Sequence, residues 1–117
     1  MNCIFCKIVS GEIGAKIVFQ DDDIVAFEDI NPVAPVHILV IPKKHIASVI
    51  DISESDAELM GKMIFRAKEL AKEFGTDDGG YKLLLRVGKD GGQEVPHIHL
   101  HLIGGGSLYE EIRLKHP

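Results

Sequence analysis

Three histidines, His97, His99 and His101, alternate with Ile98, Leu100 and Leu102 in the last quarter of the chain. In an extended strand this alternation puts three imidazoles on one face and three aliphatic side chains on the other. Aligned imidazoles suit metal binding or nucleophilic and acid–base work on a phosphate, and strand geometry does not choose between them. One histidine so placed is commonly a hydrogen-bonded residue with no further role. Three in register behind the glycine-rich run Gly88-Lys89-Asp90-Gly91-Gly92 are a stronger signal. Near the other end, Cys3 and Cys6 form a C-x-x-C pair, the spacing of a metal half-site or of a redox pair. A redox motif of this kind follows a strand and opens a helix, and no strand precedes Cys3. Metal binding is therefore the expectation, with unmetallated buried thiols as the plain alternative.

These side chains need elements to hold them. Ile4, Phe5, Ile8 and Val9 recur at helical spacing until Gly11, which predicts a short N-terminal helix. Residues 16–20 and 24–29 read as strands joined by the turn Asp21-Asp22-Asp23, and 36–41 as a largely buried strand that carries His37 and is ended by Pro42. From Ser55 the signals become helical: Ser55-x-x-Glu58 reads as a capping box, and apolar residues follow at three-to-four spacing to Phe74, where Gly75 stops them. Residues 81–87 and 98–103 complete five strands. The expectation is an α+β domain over 1–117, with an antiparallel five-stranded sheet, one long helix over 55–74, one short N-terminal helix and a tail over 104–117.

Composition narrows the function classes. The 117 residues are 45% hydrophobic and 26% charged, ordinary for a globular chain, and the net charge of −5 gives no pull toward a polyanion, so nucleic acid is not an expected partner. No apolar run approaches the ~20 residues that span a bilayer, and residues 1–10 lack the basic-then-apolar order of a signal peptide. A cytoplasmic protein with no membrane partner is expected.

The run Gln93-Glu94-Val95-Pro96-His97-Ile98-His99-Leu100-His101-Leu102-Ile103 resembles the signature of the histidine-triad family, in particular its nucleotide-binding branch. Phe27-Glu28-Asp29-Ile30-Asn31-Pro32, His37-Ile38-Leu39-Val40-Ile41-Pro42-Lys43-Lys44-His45 and Asp90-Gly91-Gly92-Gln93 are similar to other segments of that family in the same order. The resemblance implies a purine nucleotide phosphoramidase, a nucleotidyl hydrolase or transferase that releases a nucleoside monophosphate such as AMP. In it His99 attacks the α-phosphorus, His101 and His37 flank the phosphate, and Gln93 lies near the leaving atom. A neutral imidazole acting as nucleophile must donate from its other nitrogen, commonly to a backbone carbonyl, so such a bond is expected behind His99. Asp29 is implied as the ribose carboxylate. Ile4, Phe5, Ile8, Phe27 and Ile30 are implied as the purine slot, although by periodicity alone they read as core, and Arg86 and Val95 join the expected nucleotide contacts. For Cys3 and Cys6 the resemblance implies a structural zinc completed by His45 and His97.

Two positions depart from the family pattern. Arg86 stands where an asparagine near the ribose-phosphate is expected, and Glu94 where a serine contacts the phosphate. The chain also lacks tryptophan, and so the C-terminal aromatic of some relatives. A nucleotide-sensing protein with negligible turnover is the competing reading; metal storage by all the histidines would leave Asp29 and Gln93 without a role. The resemblance further implies a two-fold homodimer through the long helix and strand 81–87. That strand contains Lys82-Leu83-Leu84-Leu85-Arg86, too apolar to stand unpaired at a sheet edge.

Overall fold

A computed structural model describes residues 2–116. The element order is α1 (Ile4–Val9), β1 (Ile17–Gln20), β2 (Ile24–Glu28), β3 (Val36–Pro42), two single 3-10 turns (Val49–Asp51 and Glu54–Asp56), α2 (Ala57–Glu73), β4 (Tyr81–Leu84) and β5 (Leu100–Gly104). The strands form one antiparallel sheet in the order β1-β2-β3-β5-β4. Among the described residues this is the five-stranded α+β architecture expected from the sequence, and no helix is long and apolar enough to cross a membrane.

The sheet is covered on both faces. Ile24, Ala26, Ile38, Val40, Leu100 and Leu102 point one way and pack with Met63, Ala67, Leu70 and Ala71 of α2. Val25, Phe27, Leu39 and Ile41 point the other way and pack with Cys3, Phe5 and Ile8 of the N-terminal segment. Double coverage explains why β2 and β3 read as continuous apolar runs instead of alternating ones. Within β3 the exception is His37, which faces the α1 side with Leu39 and pairs opposite Ile103 of β5.

Three boundaries differ from the sequence reading by two residues or more, and several others by one. The helix does not start on a Ser55 capping box. The box is Ser53 with Asp56, whose Oδ2 accepts from the Ser53 backbone N–H at 2.9 Å, and α2 begins at Ala57. Both serines offer the same spacing, but Asp56 is also gripped by the Lys44 ammonium at 2.7 Å, which ties this end of the helix to the loop after β3. At the other end Gly75 takes φ +76, a left-handed conformation that lets the chain leave the helix after the Phe74 cap.

Strand β5 starts at Leu100, not Ile98, and β4 stops at Leu84, not Val87. The two changes share a cause. The Ile98 N–H donates to Ile46 O at 2.8 Å, and the carbonyl of His97 is taken by the ring of His99 at 2.8 Å, so residues 97–99 bond outside the ladder. Leu84, opposite His101, is then the last β4 residue with a partner, and the chain enters the 88–92 loop. That loop doubles back closely: a Cβ on Gly91 would lie 2.3 Å from the Val87 carbonyl oxygen, so only glycine fits.

Candidate active site and metal centre

The three imidazoles share a face although two of them lie outside the strand. The ring of Phe5 meets those of His97 and His99 edge-on, with centroids 5.9 and 5.1 Å away, and the rings of His99 and His101 are 5.0 Å apart. Ile98, Leu100 and Leu102 occupy the opposite, helix-facing core. Side-chain alternation thus continues past the point where the ladder ends, with the N–H groups of His97 and Ile98 donating to Val95 O and Ile46 O and the His97 carbonyl accepting from the His99 ring.

His99 donates from Nδ1 to the carbonyl of His97 at 2.8 Å. This is the backbone acceptor expected behind a nucleophilic imidazole, and it leaves Nε2 unprotonated, with its lone pair turned away from that carbonyl. The ring is buried.

His101 and His37 form a chain. His37 Nδ1 accepts from the Val33 backbone N–H at 3.2 Å, which puts the His37 proton on Nε2, where it faces His101 Nδ1 at 2.9 Å and Asp29 Oδ2 at 3.4 Å. Asp29, His37 and His101 are close enough to suggest a metal site. The Val33 N–H argues against one, because an imidazole accepting at Nδ1 has no lone pair left on Nε2. Asp29 is held by its own turn: Oδ1 accepts from the Asn31 N–H at 2.8 Å, and its backbone N–H donates to His37 O at 2.9 Å. Oδ2 is left toward His37.

Gln93 is a brace. Its Nε2 donates to Ala47 O at 2.6 Å and Val95 O at 3.0 Å, and its Oε1 accepts from the Gly88 N–H at 3.0 Å. It therefore ties the glycine loop and the loop after β3 to the segment that carries the histidines. Of the expected purine contacts, Phe5, Ile8 and Phe27 are buried together with Val95 against them. Ile4 is half exposed and Ile30 is 91% exposed, so neither is core. Arg86 Nη1 lies 3.2 Å from His101 Nε2, and Glu94 is exposed and in no ion pair among the described residues.

A second cluster lies behind the first. The thiols of Cys3 and Cys6 and the Nδ1 atoms of His45 and His97 all fall within 4.8 Å of one another. Cys3 Sγ is 3.4 Å from His97 Nδ1, Cys6 Sγ is 3.2 Å from His45 Nδ1 and 3.6 Å from His97 Nδ1, and the two Nδ1 atoms are 3.2 Å apart. His97 Nε2 donates to Pro42 O at 2.8 Å, which turns the Nδ1 lone pair toward the thiols. Burial pushes the Cys6 thiol up, and neighbouring Cys3 adds to the effect. Two backbone carbonyls, His97 O and Pro42 O, thus set the tautomers of His99 and His97, and neither could be found from side-chain spacing.

Burial pushes His37 and His97 down, and His101 is pushed down to about 4 by burial first and then by His99, Arg86 and His37, against the pull of Asp29. An unfolded histidine titrates near ~6.5. Between that value and about 4 the unfolded chain binds a proton that folded His101 refuses, so this residue's contribution to stability is complete above the window and is lost as pH falls through it. We expect the His101 ring resonances in a proton NMR titration to stay at their neutral positions down to pH values well under the ordinary imidazole midpoint. A His101 midpoint at or above the ordinary value would contradict the buried, neutral ring.

A family model of the HIT domain matches residues 10–108. Purine nucleoside phosphoramidase of Escherichia coli (strain K12) is 47% identical over 105 residues, which is 90% of this chain and 88% of that protein. The solved structure of a HIT family hydrolase from Legionella pneumophila Philadelphia 1 superposes with TM-score 0.91 at 53% identity, covering 92% of this chain and 96% of that one. A Zn-bound histidine triad family protein from Mycobacterium smegmatis superposes with TM-score 0.77 at 34% identity, covering 89% of this chain and 75% of that one. With the domain match spanning most of its length and three imidazoles aligned on one face, the chain belongs to the histidine triad, or HIT, family.

Proposed function

We propose that this protein is a purine nucleoside phosphoramidase, a hydrolase that works through a nucleotidyl-histidine at His99. The observation that carries the reading is the bond from His99 Nδ1 to the His97 carbonyl, which leaves Nε2 as a nucleophile. Nε2 attacks the α-phosphorus and forms an N–P bond. The P–N bond to the amine breaks, and the amine departs with a proton drawn from solvent water at its nitrogen. Water then attacks the same phosphorus, the bond to Nε2 breaks, and nucleoside monophosphate is released with its proton passed to solvent. The His97 carbonyl holds the Nδ1 proton of the cationic intermediate throughout.

The surrounding residues divide the remaining work. His101 presents its Nε2–H to the phosphoryl oxygens, His37 flanks it and fixes that proton by donating to His101 Nδ1, the buried wall of Phe5, Ile8 and Phe27 with Val95 against it takes the purine with Ile4 and Ile30 at its rim, and Asp29 receives the ribose hydroxyls. Both amide protons of Gln93 are committed to backbone carbonyls, so what it offers the leaving group is the second lone pair of Oε1, which suits an amine N–H. We expect His99→Ala to lower turnover of adenosine phosphoramidate by about 10³-fold or more while AMP binding persists. Activity within about tenfold of the parent would overturn the mechanism. A parent that binds AMP without turnover would favour the nucleotide-sensing reading.

The Cys3, Cys6, His45 and His97 cluster fits a structural zinc. Four of its edges, at 3.2–3.6 Å, are those of a tetrahedron whose bonds are ~2.3 Å to sulfur and ~2.0–2.1 Å to nitrogen. A cation there offsets the two thiolates, of which Cys3 is buried and Cys6 half-buried, and four protein ligands leave no position for substrate, so the ion would fasten α1 to the histidine segment. We expect one zinc per chain by elemental analysis, and Cys6→Ser to lower both zinc content and melting temperature. A metal-replete preparation without zinc would rule the site out.

The proposal extends to a cytoplasmic homodimer of single-domain chains with a tail over 104–117. Edge strand β4 exposes Leu83, and Leu85 follows it, while α2 exposes Ile64 and Phe65, which are 52% and 54% accessible. Pairing two such faces about a two-fold axis hides both. Light scattering at micromolar concentration is expected to give the mass of two chains, and Leu85→Glu to lower it toward one. A monomeric parent would refute the dimer.

A further inference from the structure

Arg86 departs from the family pattern, and its surroundings show an imbalance of protons. Among the described residues it pairs with no carboxylate, and its polar contact is Nη1 to His101 Nε2 at 3.2 Å. That contact ends a chain that begins at the Val33 N–H and runs through His37 Nδ1 and Nε2 to His101 Nδ1 and Nε2. Both ends of the chain are obligate donors, because neither a backbone amide nor a guanidinium can accept. Each neutral imidazole adds one proton of its own. Four protons then share three gaps, and in one gap two N–H groups must face each other.

The position of the surplus follows from the fixed end. The Val33 N–H holds the His37 proton on Nε2, Nε2–H donates to His101 Nδ1 at 2.9 Å, and the His101 proton is left on Nε2. His101 Nε2–H and Arg86 Nη1–H therefore converge with no acceptor between them. Turning His37 Nε2–H toward Asp29 Oδ2, at 3.4 Å, does not relieve this, because a protonated Nε2 still cannot accept from His101. One oxygen bearing negative charge, placed between the two donors, satisfies every group in the chain.

Building on the phosphoramidase reading, we propose that Arg86 and His101 clamp one non-bridging oxygen of the phosphoryl group that His99 attacks, so that Arg86 is a catalytic residue of this chain. The His101 ring is the immediate neighbour of His99, with centroids 5.0 Å apart, so an oxygen held at His101 Nε2 belongs to the phosphorus in front of His99. Negative charge grows on the non-bridging oxygens as the N–P bond forms, and a guanidinium is a permanent charge-assisted donor to it. Arg86 is solvent-exposed and outside every ladder, so replacing it leaves the core untouched.

The test uses adenosine phosphoramidate and the two diastereomers in which sulfur replaces one non-bridging oxygen. Sulfur is a weak acceptor, so the wild type should disfavour the diastereomer that puts sulfur in the clamp. Arg86→Ala should lower kcat/KM for the oxygen substrate by about 10²-fold. It should lower that one sulfur diastereomer by less than about tenfold, so that its oxygen-to-sulfur rate ratio collapses while the ratio for the other diastereomer is unchanged. Arg86→Lys, which keeps the charge but not the fork, should fall between. Calorimetry reads the same contact without turnover: Arg86→Ala should weaken AMP about tenfold and leave adenosine unchanged. Activity of Arg86→Ala within about threefold of the parent, or an equal loss on all three substrates with AMP binding unchanged, would overturn the clamp. A wild type that fails to turn over would overturn the phosphoramidase reading, and the AMP-against-adenosine comparison would still decide whether Arg86 holds the phosphate.

Discussion

The bond from the His99 ring to the carbonyl of His97, 2.8 Å long, is the interaction on which the site depends. It removes that carbonyl from the sheet, so β5 begins only at Leu100 and the chain before it is free to bend. The bend brings the His97 ring back toward the N-terminal cysteines while His99 and His101 stay beside Phe5 and His37. It also fixes the proton of His99 on Nδ1, so one hydrogen bond decides both the backbone path and which ring nitrogen keeps its lone pair. A strand that continued to Ile98 would bury the same aliphatic side chains, yet it would hold the His97 carbonyl in the ladder and leave the His99 tautomer unset.

Two layers of residues support that bond from opposite sides. On the helix side, α2 packs against Leu100, Leu102 and Ile98, and this core holds the strand rigid. On the other side, α1 lays Phe5 and Ile8 over the sheet and brings Cys3 and Cys6 to His45 and His97. The same N-terminal segment thus supplies both the Phe5 and Ile8 wall beside the histidines and the two cysteines of the Cys/His cluster, so the packing of one bears on the placement of the other. Burial on this face also keeps His37 and His101 below the ordinary imidazole range, where they act as neutral donors.

Arg86 illustrates how a departure from a family pattern acquires meaning from its neighbours. By sequence it is one cation near the end of the strand read over 81–87, implied as a nucleotide contact by family resemblance alone. In the fold it is the donor that closes a chain of imidazoles already supplied with a donor at the other end, and that mismatch is what the proposed phosphoryl clamp would relieve.

The alternation of His97, His99 and His101 with Ile98, Leu100 and Leu102 was legible by itself, because strand parity requires only the backbone period. The apolar runs of β2 and β3, the helical stripe ending at Gly75, and the Cys3 and Cys6 half-site were legible for the same reason: each is a pattern of residue types, whereas His45 and His97 as its partners followed from the family resemblance. The start of α2 was not, since Ser53-x-x-Asp56 and Ser55-x-x-Glu58 are equivalent locally and the choice rests on Lys44, brought to Asp56 by the loop after β3. The ends of β4 and β5 were hidden too, because they depend on which acceptor each backbone group of residues 97–99 finds. Those acceptors, Ile46 O and the paired donor and carbonyl of His99 and His97, carry no side-chain signature. Residue types thus determined which groups could do chemistry, and only the tertiary structure decided which nitrogen of each imidazole holds the proton, since a tautomer is set by a partner that folding supplies.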